Sequence, residues 1–78
     1  MFIEVVGMIR ALIRNPDTGQ RHWFVFPLYF GKLMEIGCSG NYNNTVEIVA
    51  IEGTNRFSTG YYTVEELEEL NRLAEGYY

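Results

Sequence analysis

A chain of 78 residues fits one domain, and at this length only about 60% of the unfolded surface is buried on folding. Hydrophobic residues at 47% and charged residues at 21% exclude intrinsic disorder, while six basic against ten acidic residues argue against nucleic-acid binding by the whole surface. The single cysteine, Cys38, excludes an internal disulfide framework and points to a cytoplasmic protein.

The apolar start MFIEVVGMIRALIR is broken by Glu4 and Arg10, so it holds neither a charged leader with an apolar core nor about 20 unbroken apolar residues. No membrane segment is expected, and residues 2–14 read as a strand. Ile3, Val5, Ile9, Ala11 and Ile13 share one face, and Glu4, Arg10 and Arg14 the other. Asn15-Pro16-Asp17-Thr18-Gly19 has turn chemistry: Pro16 presets φ, Asp17 can bond its own backbone, and Gly19 tolerates positive φ. Arg21 to Phe26 is aromatic and β-branched, which predicts an antiparallel hairpin. Setting Asn15 opposite Gln20 pairs Ile13 with His22, Leu12 with Trp23, Ala11 with Phe24 and Ile9 with Phe26. Ile9, Ala11, Ile13, Phe24 and Phe26 then form a core face, with Leu12, Trp23, Val25 and Arg10 behind it.

Pro27 ends the second strand and suits a helix's first turn. Leu28 to Ile36 reads as a short helix, with Tyr29, Leu33 and Ile36 on one stripe and Gly37 as terminator. Residues 38–44 form a polar loop, Thr45 to Glu52 a third strand, and Gly53 to Gly60 another loop. Thr63 with Glu66 is a capping box, after which Val64, Leu67, Leu70 and Ala74 recur at helical spacing until Gly76. The chain is thus expected to be a single α+β domain over residues 1–78. Its expected architecture is a small three-stranded antiparallel sheet, a short helix after the second strand, and a C-terminal amphipathic helix packed on the sheet.

Catalytic chemistry is sparse. One histidine, His22, and one cysteine offer no metal-ligand pairing. His22 reads as an ordinary strand residue and Cys38 as a small loop or core residue, rather than a base and nucleophile. Gly37-Cys38-Ser39-Gly40 lacks the lysine and the strand-to-helix setting of a phosphate loop. Glu65 and Glu69 share an exposed helix face without the contrasting environments that separate an acid from a base. No enzyme activity, cofactor or metal is expected.

Charge is uneven along the chain. Residues 1–32 hold four basic and two acidic side chains, whereas residues 33–78 hold two basic and eight acidic ones. On the C-terminal helix, Val64, Leu67, Leu70, Leu73 and Ala74 occupy one half of the wheel. Glu65, Glu68, Glu69 and Glu75 occupy the other, with Arg72 among them. DNA carries one phosphate charge per about 1.7 Å of duplex axis, so such a row can imitate a short piece of one strand.

Several stretches together resemble the ArdA-type antirestriction proteins of plasmids, conjugative transposons and phages. They are Trp23-Phe24-Val25-Phe26-Pro27-Leu28, Ile36-Gly37, Thr45-Val46-Glu47-Ile48-Val49-Ala50-Ile51-Glu52-Gly53, and Tyr62 to Glu75 with its Leu70-Asn71-Arg72-Leu73-Ala74. The likeness covers roughly residues 20–75 and corresponds to one repeat-like unit of that longer family. It implies a DNA-mimicking inhibitor from a mobile element or phage, often dimeric, with Glu47, Glu52, Glu65, Glu66, Glu68, Glu69 and Glu75 carrying the mimicry. The implied partner is a type I restriction enzyme or another DNA-handling defence complex such as a CRISPR effector, with no direct contact to nucleic acid.

Two other readings come from the residues themselves. Tyr61, Tyr62, Tyr77 and Tyr78 could form the aromatic interface of a small homo-oligomeric interaction module, a homodimer in the simplest case, since tyrosine is enriched at interfaces. Arg10, Arg14, Arg21 and Trp23 could bind nucleic acid weakly through phosphate contacts and stacking, against the net charge.

Overall fold

The computed structural model describes residues 9–39 and 41–75. Ile3, Glu4 and Val5 of the expected first strand, Gly40, the Gly76 stop, and Tyr77 and Tyr78 lie outside the described residues.

The N-terminal hairpin forms as the alternation predicts. Strand β1 (Ile9–Arg14) pairs antiparallel with β2 (Arg21–Phe26), with Ile13 opposite His22, Leu12 opposite Trp23, Ala11 opposite Phe24 and Ile9 opposite Phe26. The turn fixes this register. The Asn15 N–H donates to the Gln20 carbonyl at 2.8 Å, Gly19 N–H donates to the Asn15 carbonyl at 2.7 Å, and Asn15 Oδ1 accepts the Asp17 N–H at 2.8 Å. Gly19 takes a positive φ of 77°, which a side chain would resist. Ile9, Ala11, Ile13, Phe24 and Phe26 are buried together in the core.

The expected three-stranded sheet is corrected to a four-stranded one. Strand β3 (Thr45–Glu52) pairs with β1, and β4 (Gly60–Thr63) pairs with β3, giving the order β2-β1-β3-β4, antiparallel throughout. Tyr61-Tyr62-Thr63 is a β-prone run, but four residues beginning at a glycine give too little alternation to stand out from a loop. Strand β3 also carries a bulge. Leu12 faces Ala50 while Ile13 faces Ile48, so Val49 is the extra residue. The bulge brings Glu47 and Glu52, five positions apart, to the same face, opposite Arg14 and Arg10. Strict alternation would have separated them.

The short helix expected after the second strand is also corrected. Phe30–Ile36 is a 3-10 helix, and Pro27 sits three residues ahead of it rather than in its first turn. Both approaches to this segment are held. Leu28 is tied to the C-terminal helix, and the Ile36 carbonyl accepts from Asn15 Nδ2 at 2.8 Å and Thr18 Oγ1 at 3.1 Å. A 3-10 helix rises about 2.0 Å per residue against 1.5 Å for an α-helix, so seven residues bridge a longer gap. Leu33 and Ile36 are buried as expected, but Tyr29 is 77% exposed and does not join their stripe. Gly37 ends the segment with φ 87°, its N–H returning to Met34, and a Cβ there would stand 3.0 Å from Thr18 Cγ2 and 3.3 Å from Asn15 Nδ2. Both the backbone conformation and the close hairpin turn require glycine.

At the C-terminal end the capping box closes as read. Glu66 N–H donates to Thr63 Oγ1 at 3.2 Å, and Thr63 N–H donates to Glu66 Oε1 at 2.9 Å. The helix is not continuous from that box: Glu65–Leu67 is a 3-10 turn, and α1 runs from Glu68 to Glu75. Val64, Leu67, Leu70 and Leu73 are buried against the inner face of the sheet. Each such side chain contributes about 1.5–3 kcal/mol relative to exposure. Asn71 adds a polar clamp, accepting the Leu28 N–H through Oδ1 at 2.7 Å and donating Nδ2 to the Leu28 carbonyl at 3.1 Å. One side chain thereby replaces the strand partner that Leu28 lacks after β2 ends.

Candidate partner-binding surface

The seven acidic residues singled out in the sequence divide between two faces. Glu47 and Glu52 lie on the outer face of the sheet, away from α1. There Arg14 Nε donates to Glu47 Oε1 and Arg10 Nε to Glu52 Oε1, each at 2.8 Å. The Glu52 hydrogen bond, then its charge, raises the Arg10 pKa above its ordinary value. For Arg14 the largest cause of the same upward shift is the hydrogen bond to Glu47. Arg10 also lies 4.6 Å from the ring centroid of Trp23, a cation–π contact beside an ion pair. These two carboxylates are therefore neutralised locally.

The second set surrounds a groove on the other side of the molecule. Glu65, Glu66, Glu68 and Glu69 line it together with Phe57, Tyr62 and Arg72, around a space of about 490 Å³. Burial of Val64, Leu67 and Leu70 turns the intervening glutamates outward. Their commitments differ. Glu66 closes the capping box, Glu69 accepts from Arg72 at 3.1 Å, and Glu68 accepts the Tyr42 hydroxyl at 2.7 Å. The Glu65 N–H donates to the Tyr42 carbonyl at 3.2 Å, while its carboxylate makes no hydrogen bond or ion pair among the described residues. Glu75 is exposed at the far end of α1, outside the groove. The hydrogen bond to Glu68, followed by that carboxylate's charge, pushes the Tyr42 phenol above its ordinary pKa.

Of the two aromatic residues in the groove, Tyr62 is singled out by the sequence and Phe57 is not. Phe57 and Tyr62 pack with ring centroids 5.4 Å apart at 43°, half-buried against the core, and Tyr62 donates its hydroxyl to the Ser58 carbonyl at 2.9 Å. Phe57 is a lone aromatic in a run of Thr, Asn, Arg, Ser and Gly, and that contrast was the available signal. Tyr61 and Tyr62, adjacent in β4, fall on opposite sides of the sheet. Tyr61 lies opposite Glu47 and is 60% exposed, whereas Tyr62 lies opposite buried Val46. They do not form one aromatic patch.

The remaining candidates sit apart. Cys38 is buried, and that burial, with a smaller contribution from Asp17, pushes its thiol above the ordinary pKa. His22 is exposed, with Nε2 3.6 Å from Glu35 and its ring edge-on to Phe24. Among the described residues no group of three or more His, Cys, Asp and Glu is arranged to hold a metal. Nor is any helix among them long and apolar enough to cross a membrane.

No family model matches the chain. Comparison with curated proteins and with solved structures likewise returns no match.

Proposed function

We propose that this chain is a non-enzymatic inhibitor, carried by a mobile element or phage and acting in the cytoplasm, that offers carboxylates in place of DNA phosphates. Its target would be the DNA-binding surface of a type I restriction enzyme or another DNA-handling defence complex such as a CRISPR effector. One observation carries the reading: Glu65, Glu66, Glu68, Glu69 and Glu75 all stand on the outward side of a segment whose inner side is locked into the core. At about 1.5–2.0 Å of rise per residue the row spans roughly 15–17 Å, with Glu65 to Glu69 within the first ~7 Å and Glu75 about 9 Å beyond them. Phosphates along one DNA strand recur every 3.4 Å or so. The resemblance of residues 20–75 to ArdA-type proteins supports the same target class.

The test is the variant carrying Glu65→Gln, Glu68→Gln, Glu69→Gln and Glu75→Gln, assayed for inhibition of DNA cleavage by a type I restriction enzyme at two salt concentrations. Glu66 is left intact because it closes the capping box. Inhibition should fall at least about 10-fold, and added salt should weaken the wild-type complex more than the variant one. A variant that inhibits as well as the wild type refutes the mimicry. The homo-oligomeric reading has separate support in the outer face of the sheet, where Val25, two residues from Trp23 on β2, is 55% exposed and Tyr61, on the opposite edge strand β4, is 60% exposed. Sedimentation equilibrium distinguishes it, because a monomer across micromolar concentrations removes it.

A further inference from the structure

The groove floored by Phe57 and Tyr62 is more than a stretch of negative charge, and we infer that it receives an arginine side chain from the partner's basic surface. This rests on the inhibitor reading and specifies what that surface would recognise. A groove walled by carboxylates alone suits any cation. Here two aromatic rings line the groove with four glutamates, of which Glu69 holds the single internal cation, Arg72, and Glu65 leaves its carboxylate free among the described residues. A planar, weakly hydrated guanidinium can stack on a ring while its N–H groups fork onto a carboxylate, which the compact, strongly hydrated lysine ammonium does less well.

The molecule displays the same chemistry elsewhere. Arg10 lies 4.6 Å from the Trp23 ring centroid and donates to Glu52 at 2.8 Å, so ring, guanidinium and carboxylate already form a working set on the outer face. At the groove edge, Arg72 donates to Glu69 at 3.1 Å, so one wall already satisfies a guanidinium. The rings and Glu65 supply the corresponding components without a cation between them among the described residues.

The experiment compares hexa-arginine and hexa-lysine peptides, equal in charge, titrated into the intact chain and followed by amide and aromatic NMR shifts. Hexa-arginine should bind about 5-fold more tightly, with the largest shifts at Phe57 and Tyr62. Phe57→Leu should bring hexa-arginine down to the affinity of hexa-lysine, whereas Glu65→Gln should weaken both peptides. Equal affinity of the two peptides for the wild-type chain, or an arginine preference that survives in folded Phe57→Leu, overturns the inference. If Phe57→Leu does not fold, nuclear Overhauser contacts between arginine δ protons and the Phe57 and Tyr62 rings of the wild type decide instead, and their absence overturns it. An arginine preference in a chain that fails to inhibit the restriction enzyme keeps the groove assignment and removes the defence-enzyme target. Inhibition without any arginine preference does the reverse.

Discussion

Asn71 is the side chain whose removal should reveal most about how the two halves of the chain are joined. It lies 43 positions from Leu28 and makes two hydrogen bonds to it, at 2.7 and 3.1 Å. Leu28 is buried, at 6% exposure, and Asn71 is half-buried, so water can replace the two bonds only in part. Each intramolecular bond is worth about 0.5–1.5 kcal/mol net, and a buried group left without a partner costs about 1–3 kcal/mol. Asn71→Ala should therefore destabilise by about 2–4 kcal/mol. A chain of this length has a total stability of roughly 4–12 kcal/mol. At about 4–8 °C per kcal/mol for a small domain, the thermal midpoint should fall by roughly 8–32 °C. Asn71→Asp separates the two bonds, because it keeps an acceptor for the Leu28 N–H but sets a carboxylate against the Leu28 carbonyl. Protonation at low pH restores a donor, so this variant should regain stability relative to wild type as pH falls. Circular-dichroism melts and urea titrations at neutral and acidic pH measure both effects. An Asn71→Ala midpoint within about 2 °C of wild type would refute the reasoning, showing that the clamp adds nothing beyond the packing around it.

Two further predictions concern titratable groups. Burial holds the Cys38 thiol in its neutral form, so a thiol-specific reagent should react at least about 10-fold more slowly with the folded chain than with the urea-unfolded one; equal rates would mean that Cys38 is accessible. The Tyr42 pKa is raised in the folded state by Glu68, so the associated stability is present below about pH 10, the unfolded value, and is lost as pH rises through the folded one. Wild-type stability should therefore fall more steeply above pH 10 than that of Tyr42→Phe, and parallel curves would discount the contact.

What was readable in the sequence was local. The β1–β2 register followed from five turn residues and a period-two pattern, because turn geometry and one buried face together admit a single pairing. The capping box and the glycine stop at Gly37 were equally direct, since each is written within four residues. Strand β4, the order of the sheet and the Asn71 clamp were hidden for the opposite reason. They depend on partners far away in sequence, and an asparagine inside a helical pattern gives no sign that it will satisfy a backbone 43 residues earlier. The candidate site shows the same division. The outward glutamates of residues 65–75 followed from helical spacing, but the pairing of Glu47 with Arg14 and of Glu52 with Arg10 arose from strand neighbours 33 and 42 positions distant. Phe57 was passed over because its contrast with the polar loop around it marks an aromatic residue without naming its partner, Tyr62.

The bulge at Val49 means that β3 encodes the side on which its charge emerges by residue count as much as by residue type. Odd and even positions exchange faces at that one residue, so Glu47 and Glu52 both reach an arginine although their numbers differ in parity. A single deletion between them would leave the composition nearly unchanged. Removing Val49 would set Glu47, Ile48, Ala50, Ile51 and Glu52 in plain alternation opposite Arg14, Ile13, Leu12, Ala11 and Arg10, so both ion pairs and both inward isoleucines would keep their places. Substitutions at Val49 touch no ladder pair and should be absorbed as readily. The extra residue is dispensable to the pairing, and its loss would straighten the strand rather than turn its charges inward.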